Sequence, residues 1–267
     1  MILLYLLISL LSSSVFLLPL LDLLKRGFLR QNYQGKMIPS GLGILLIFNF
    51  LVLLPLLLLF SGIDPSIILL KGFLLGVTAF IGTVDDFMGD ANRGFKGHVE
   101  MLLREKRFTS GGLKAAAGLL SGFTLGVFRG GSMFEAGIDA LVFALSVNTL
   151  NLMDLRPGRA LKTYILLSFF IIFLGRDQAV FLITPILGAV LRILPLDLKE
   201  EGMLGDIGSN ILGASVGFTL VFLLDMPFKI LFLAVLIFLQ WVGDRISFSK
   251  IIETNAALKY MDNLGRK

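Results

Sequence analysis

Cysteine is absent from the 267 residues, and His98 is the single histidine. The first absence excludes disulfides and thiolate metal sites, and the second excludes a multi-histidine zinc centre. Any metal must therefore be held by oxygen, which favours Mg²⁺ or Mn²⁺. Charge is also scarce: Asp, Glu, Lys and Arg make up 16% of the chain, where soluble domains carry about 25%. No low-complexity linker divides the sequence, and no internal repeat of fixed period stands out. What fills it instead is apolar, with 56% hydrophobic residues and a mean hydropathy of +0.88. A water-soluble globule is excluded. The sequence reads as one membrane-embedded domain, 1–267, with a polar tail over 244–267.

Crossing about 30 Å of hydrocarbon takes roughly 17–25 apolar residues. Nine runs qualify, at about 1–21, 41–60, 66–84, 112–128, 134–153, 160–175, 178–194, 207–224 and 227–243. The expected fold is all-α: a polytopic integral membrane protein of about nine transmembrane helices. The first run lacks the basic start and small-residue cleavage site of a signal peptide and reads as an anchor. With the N-terminus outside and the C-terminus cytoplasmic, 20 of the 24 Lys and Arg fall on the inner side. Lys71, Arg129, Arg176 and Lys229 fall on the outer side, so the positive-inside rule supports this orientation in the cell membrane. The net charge of +5 is then a topology signal, and no nucleic-acid partner is implied. Outer loops are minimal and inner loops long and polar, which puts the chemistry on the cytoplasmic face. Ionisable residues in helix interiors are few, with Asp139 the plausible candidate, and this weighs against a transporter.

Four polar constellations interrupt the apolar pattern. Asp85-Asp86 ends one run, and two adjacent carboxylates each raise the other's cost of ionisation; a divalent cation with a phosphate beyond it is a reason to keep them. Asn148, Asn151 and Asp154 recur at spacings of three, on one face of a helix, and either bond a neighbouring helix or line a polar cleft. Arg156 and Arg159 follow in a turn and could grip phosphates. Gly205-Asp206-Ile207-Gly208-Ser209 opens another run; Asp206 could be a plain N-cap, while the glycines also let an ion or phosphate approach. Lys36 precedes Pro39-Ser40-Gly41-Leu42-Gly43. The run Arg104 to Arg107 reads as a solvated or headgroup-facing segment, and His98 as a surface or loop residue.

In that order, Pro-x-Gly-x-Gly, Asp-Asp, Asn-x-x-Asn-x-x-Asp and Gly-Asp-x-Gly-Ser, the motifs resemble those of the polyprenyl-phosphate N-acetylhexosamine-1-phosphate transferase superfamily, over roughly residues 30–245. The superfamily includes the phospho-N-acetylmuramoyl-pentapeptide translocase. The resemblance implies Mg²⁺-dependent transfer of a sugar 1-phosphate from a UDP-sugar to polyprenyl (undecaprenyl) phosphate, releasing UMP, in cell-envelope glycan synthesis. By the same resemblance Asp206 is the metal acid; Asp85, Asp86 and Lys114 are catalytic; and Lys36, Asn148, Asn151 and Asp154 bind substrate, with Arg156 and Arg159 added as phosphate-binding candidates from their own chemistry. The partners implied are the lipid phosphate, the UDP-sugar and the bilayer, with a homodimer left open. Where the family continues Asp-Gly-x-Asp-Gly, this chain has Leu155-Arg156-Pro157-Gly158-Arg159 after Asp154, and residues 244–267 contain no histidine. These departures support a rival reading, a non-catalytic lipid-phosphate- or nucleotide-binding partner of an envelope-assembly system.

Overall fold

Backbone in a bilayer must satisfy its own hydrogen bonds, so apolar runs there fold as helices. The computed structural model describes residues 2–88, 110–174 and 177–266. In it each apolar run lies on a helix: α1 (Ile2–Gly27), α2 (Ile44–Phe60), α3 (Pro65–Met88), α4 (Ser110–Phe128), α5 (Met133–Met153), α6 (Arg159–Phe173), α7 (Asp177–Leu198), α8 (Gly205–Leu223) and α9 (Met226–Arg245). Among the described residues, seven of these (all but α2 and α6) are long and apolar enough to cross a membrane. The chain is thus an all-α, multi-pass membrane protein. α2 has 17 residues and α6 has 15, about 26 and 22 Å of rise.

Two features were not expected from the sequence. A small antiparallel hairpin, β1 (Leu29–Gln31) with β2 (Met37–Pro39), pairs Arg30 with Ile38 between α1 and α2. The tail folds into two short helices, α10 (Phe248–Thr254) and α11 (Ala256–Asn263).

Local chemistry sets the helix starts. Ser132 and Glu135 form a reciprocal capping box on α5: the Ser132 hydroxyl accepts from the Glu135 N–H, and the Glu135 carboxylate accepts from the Ser132 N–H. Asn255 closes α10 and its side chain caps α11, accepting from the backbone of Ala257 and Leu258.

Helix α8 is the axis of the bundle, buried along nearly its whole length. Glycine lets other helices reach it: a Cβ on Gly213 would lie 2.4 Å from Val147 Cα of α5. Such small residues at helix contacts replace hydrophobic driving force with close backbone packing. Helix α7 carries Pro185 and Pro195, and side chains of three other helices bond its backbone: Ser9 and Asn49 donate to the Pro185 carbonyl, and Lys71 to that of Leu182.

Lys71 and Lys229, counted on the outer side near the ends of two apolar runs, do not reach solvent there. Both are buried in the bundle. The Lys71 ammonium donates to Leu182 O at 2.6 Å and Thr219 Oγ1 at 3.1 Å, and lies over the Phe218 ring. Lys229 and Arg129 share the buried carboxylate of Asp139, at 2.6 and 2.7 Å. The helix interiors therefore hold more charge than hydropathy suggested, and it is neutralised by contacts the sequence pattern does not reveal.

Candidate functional site

The site lies at the end of the bundle that carries the hairpin and the tail. The segment after β2 runs beside residues 203–204: Pro39 O accepts from Met203 N–H, Leu42 N–H donates to Met203 O, and Gly43 N–H to Leu204 O. This seats the Pro-x-Gly-x-Gly motif against the Gly-Asp-x-Gly-Ser motif. A Cβ on Gly43 would fall 2.2 Å from Gly208 Cα, so the two motifs touch backbone to backbone. On the other side Gly82 brings α3 equally close: a Cβ there would lie 2.6 Å from Asp206 O and from Ile207 Cα.

That approach places the adjacent acids at the start of α8, where they take separate roles. Both oxygens of Asp86 face helix N–H groups, Oδ1 accepting from Asp206 N at 3.2 Å and Oδ2 from Ile207 N at 3.3 Å. Unpaired N–H groups and the helix dipole favour a carboxylate there. Asp85 faces Lys114 instead. The Lys114 ammonium on α4 lies 3.3 Å from Asp85 Oδ2 and 3.3 Å from Asp206 Oδ1, so one positive charge holds two carboxylates from separate helices. Arg30 of the hairpin donates to the Asp86 carbonyl and sits over the Phe87 ring.

The polar stripe of α5 divides. Asn151 accepts from the Ser209 hydroxyl at 2.8 Å and so joins the α8 motif. Asp154 follows as the C-cap of α5. Burial and the charges of Asp197, Asp206 and Asp86 push its carboxyl well above the usual carboxylate range, with Lys114 opposing. Asn148 is exposed and donates to Gln240 of α9 rather than facing the acids.

The turn after Asp154 is bound from outside. Arg156 stacks over Tyr33 of the hairpin, 4.4 Å from the ring centre, and faces Glu253 of the tail at 3.7 Å. The Arg159 guanidinium, expected to grip phosphate, is buried and bidentate on Asp262 of α11 at 2.9 Å from each oxygen. Burial works against Asp262, but hydrogen bonds from Arg159 and Arg266 outweigh it and hold the carboxyl at about 2. Lys36 is exposed on the hairpin turn, where its backbone N–H donates to Asn32 Oδ1. His98, Asp90 and the run Arg104 to Arg107 lie outside the described residues.

Three residues with a clear part here were not singled out from sequence. Asp197 accepts from Gly158 N and Leu204 N, tying the turn after Asp154 to the entry of α8. Glu200, in a left-handed backbone conformation at φ 56°, accepts from Asn32 and Tyr33 and fastens the hairpin. Asn210 is buried, and its Oδ1 has no partner among the described residues. It lines, with Lys114, Thr78, Gly118 and Val147, a recess of about 190 Å³ that includes open solvent.

Among the described residues no group of three or more acidic or histidine side chains is assembled as a ready metal cage. The donor chemistry still fits Mg²⁺, which usually binds one or two carboxylates together with water and substrate phosphates. Asp85 and Asp206 already converge on a single cation, the Lys114 ammonium. The chain matches no protein-family model and no curated protein.

Proposed function

We propose that this chain is a Mg²⁺-dependent transferase moving a sugar 1-phosphate from a UDP-sugar to a polyprenyl phosphate, with UMP released. The supporting observation is the convergence of Asp85 and Asp206 on Lys114 at one end of the bundle, beside Asn151 and Asp154. We read all nine long helices as spans, with the N-terminus outside and the hairpin and tail in the cytoplasm, as the cation bias implies. Two anions must meet for this reaction, so orientation and charge neutralisation dominate the barrier.

An oxygen of the lipid phosphate attacks the β-phosphorus of the UDP-sugar; that P–O bond forms as the bond to the UMP oxygen breaks. Asp206 would hold Mg²⁺, which when bound would supply neutralising charge to the pyrophosphate and leaving UMP. Lys114 supplies fixed positive charge between the two acids. Asp85 orients the attacking phosphate or takes its proton. Asp86 keeps the first turn of α8, and with it Asp206, in place. Asn151, held by Ser209, presents its amide to the nucleotide. A small UDP-N-acetylhexosamine is the expected donor.

A non-catalytic binding role is favoured by one set of contacts: Arg156 and Arg159 are already engaged by the hairpin and tail. Purified protein with Mg²⁺, undecaprenyl phosphate and a panel of UDP-sugars separates the two. The transferase reading requires UMP release dependent on all three. If uridine nucleotides bind but none turns over, the binding role stands; if none binds, the nucleotide assignment fails as well.

A further inference from the structure

Helix α11 is amphipathic, and it faces the wrong way for a helix docked on a protein through an apolar contact. Lys259, Asp262 and Asn263 share one face, and Ala257, Tyr260, Met261 and Leu264 the other. Asp262 is the residue turned to the bundle, bidentate on Arg159 and bonded again by Arg266. The opposite face is consequently turned away from it. Tyr260 is 71% exposed, Met261 58% and Leu264 58%, and no residue of α11 is buried.

The height of the helix identifies what covers that face. The Lys162 ammonium, one turn into the apolar helix α6, donates to the carbonyls of Met261 and Asp262 at 3.1 and 2.7 Å. A Cβ on Gly265 would lie 3.1 Å from Leu198, at the end of α7. The end of α11 is therefore level with the ends of apolar helices, the depth of lipid headgroups. Trp241 and Ile246, which precede the tail, are exposed apolar residues as well. Along the same segment exposed Arg245, Lys250 and Lys259 outnumber exposed Asp244 and Glu253, a positive excess that favours anionic headgroups.

The geometry points to α11 as an interfacial helix: it lies in the leaflet at the hairpin end of the bundle, with Tyr260, Met261 and Leu264 in the acyl boundary and Asp262 latched to Arg159. The partner is the bilayer itself, with anionic lipid favoured. This inference does not depend on the transfer chemistry.

The lack of native cysteine makes the test direct. Single nitroxide labels are placed on Tyr260→Cys, Met261→Cys, Leu264→Cys, Lys259→Cys and Asn263→Cys in the full chain, in nanodiscs containing phosphatidylglycerol. The label's collision with dissolved oxygen and with a water-soluble nickel chelate is then compared. Positions 260, 261 and 264 should favour oxygen and positions 259 and 263 the chelate, with the contrast reduced in phosphatidylcholine alone. Water-like accessibility at all five positions overturns the inference. So does protection of 260, 261 and 264 from both reagents, which would mean that protein covers the face. The five labels sit on exposed side chains, so loss of one variant leaves the periodicity readable from the rest.

Discussion

The carboxylate of Asp86 accepts the backbone N–H of Asp206 at 3.2 Å, so one acid of the adjacent pair positions the acid proposed to hold metal. Asp85, its neighbour, faces Lys114 instead. The two should therefore separate on mutation. Asp86→Ala uncaps a buried helix and is expected to cost about 1–2 kcal/mol, read as a lower thermal midpoint in detergent. Asp85→Asn should leave that midpoint close to wild type while abolishing most turnover. Equal midpoints for the two variants would contradict the division.

Asp206→Asn should end Mg²⁺-dependent UMP release with the fold intact, because a neutral amide is a poorer ligand for a hard cation than a carboxylate. Activity titrated against Mg²⁺ is the measurement. An unchanged titration curve would remove Asp206 from the metal role.

Gly82→Ala should lower stability by about 1–3 kcal/mol and activity with it, since the new methyl group would stand 2.6 Å from Asp206 O. Gly76→Ala on the same helix, with nothing within 4 Å of its Cβ, is the control. It should be neutral, or stabilising by up to about 1 kcal/mol. Denaturation of both variants in the same detergent tests the pair.

The latch between tail and bundle should be sensitive to acid. The Asp262 carboxyl is held at about 2, below its ordinary value near 3.9. A depressed carboxyl stabilises the folded arrangement at every pH above its ordinary value and loses that contribution as pH falls through about 2. Tail release, followed by the mobility of a label at residue 259, should thus set in between about pH 4 and 2. Asp262→Asn should release the tail at neutral pH and remove this transition. A wild-type tail that stays rigid through the whole range would show that the latch does not hold it.

Helix positions were legible because hydropathy over a long window survives any detail of packing. The acids at helix ends, Asp85, Asp86 and Asp206, stood out because charge beside an apolar run is costly without a purpose. What each acid does was not legible: the separation of Asp85 from Asp86 depends on how closely Gly82 lets α3 approach α8. Arg159 was misleading for a related reason. Its partner Asp262 is 103 residues away in sequence, so a free guanidinium and a latched one look alike in the chain. The hairpin escaped notice because three-residue strands carry too little alternation to register. Lys71 counted as an outer-side charge because it lies near a helix start, and its burial against α7 and α8 was not legible.

The shared carboxylate of Asp139 bears on how the chain is assembled during synthesis. Arg129 lies ten residues before Asp139 and Lys229 ninety residues after it. Asp139 therefore enters the membrane with a counter-ion already made, in the hairpin of α4 and α5. Lys229 arrives four helices later, in the first turn of α9, with a charge that hydrocarbon disfavours. In the finished fold both cations hold the one carboxylate, so the seat of the last long helix is set by an acid that its own neighbour Arg129 already pairs.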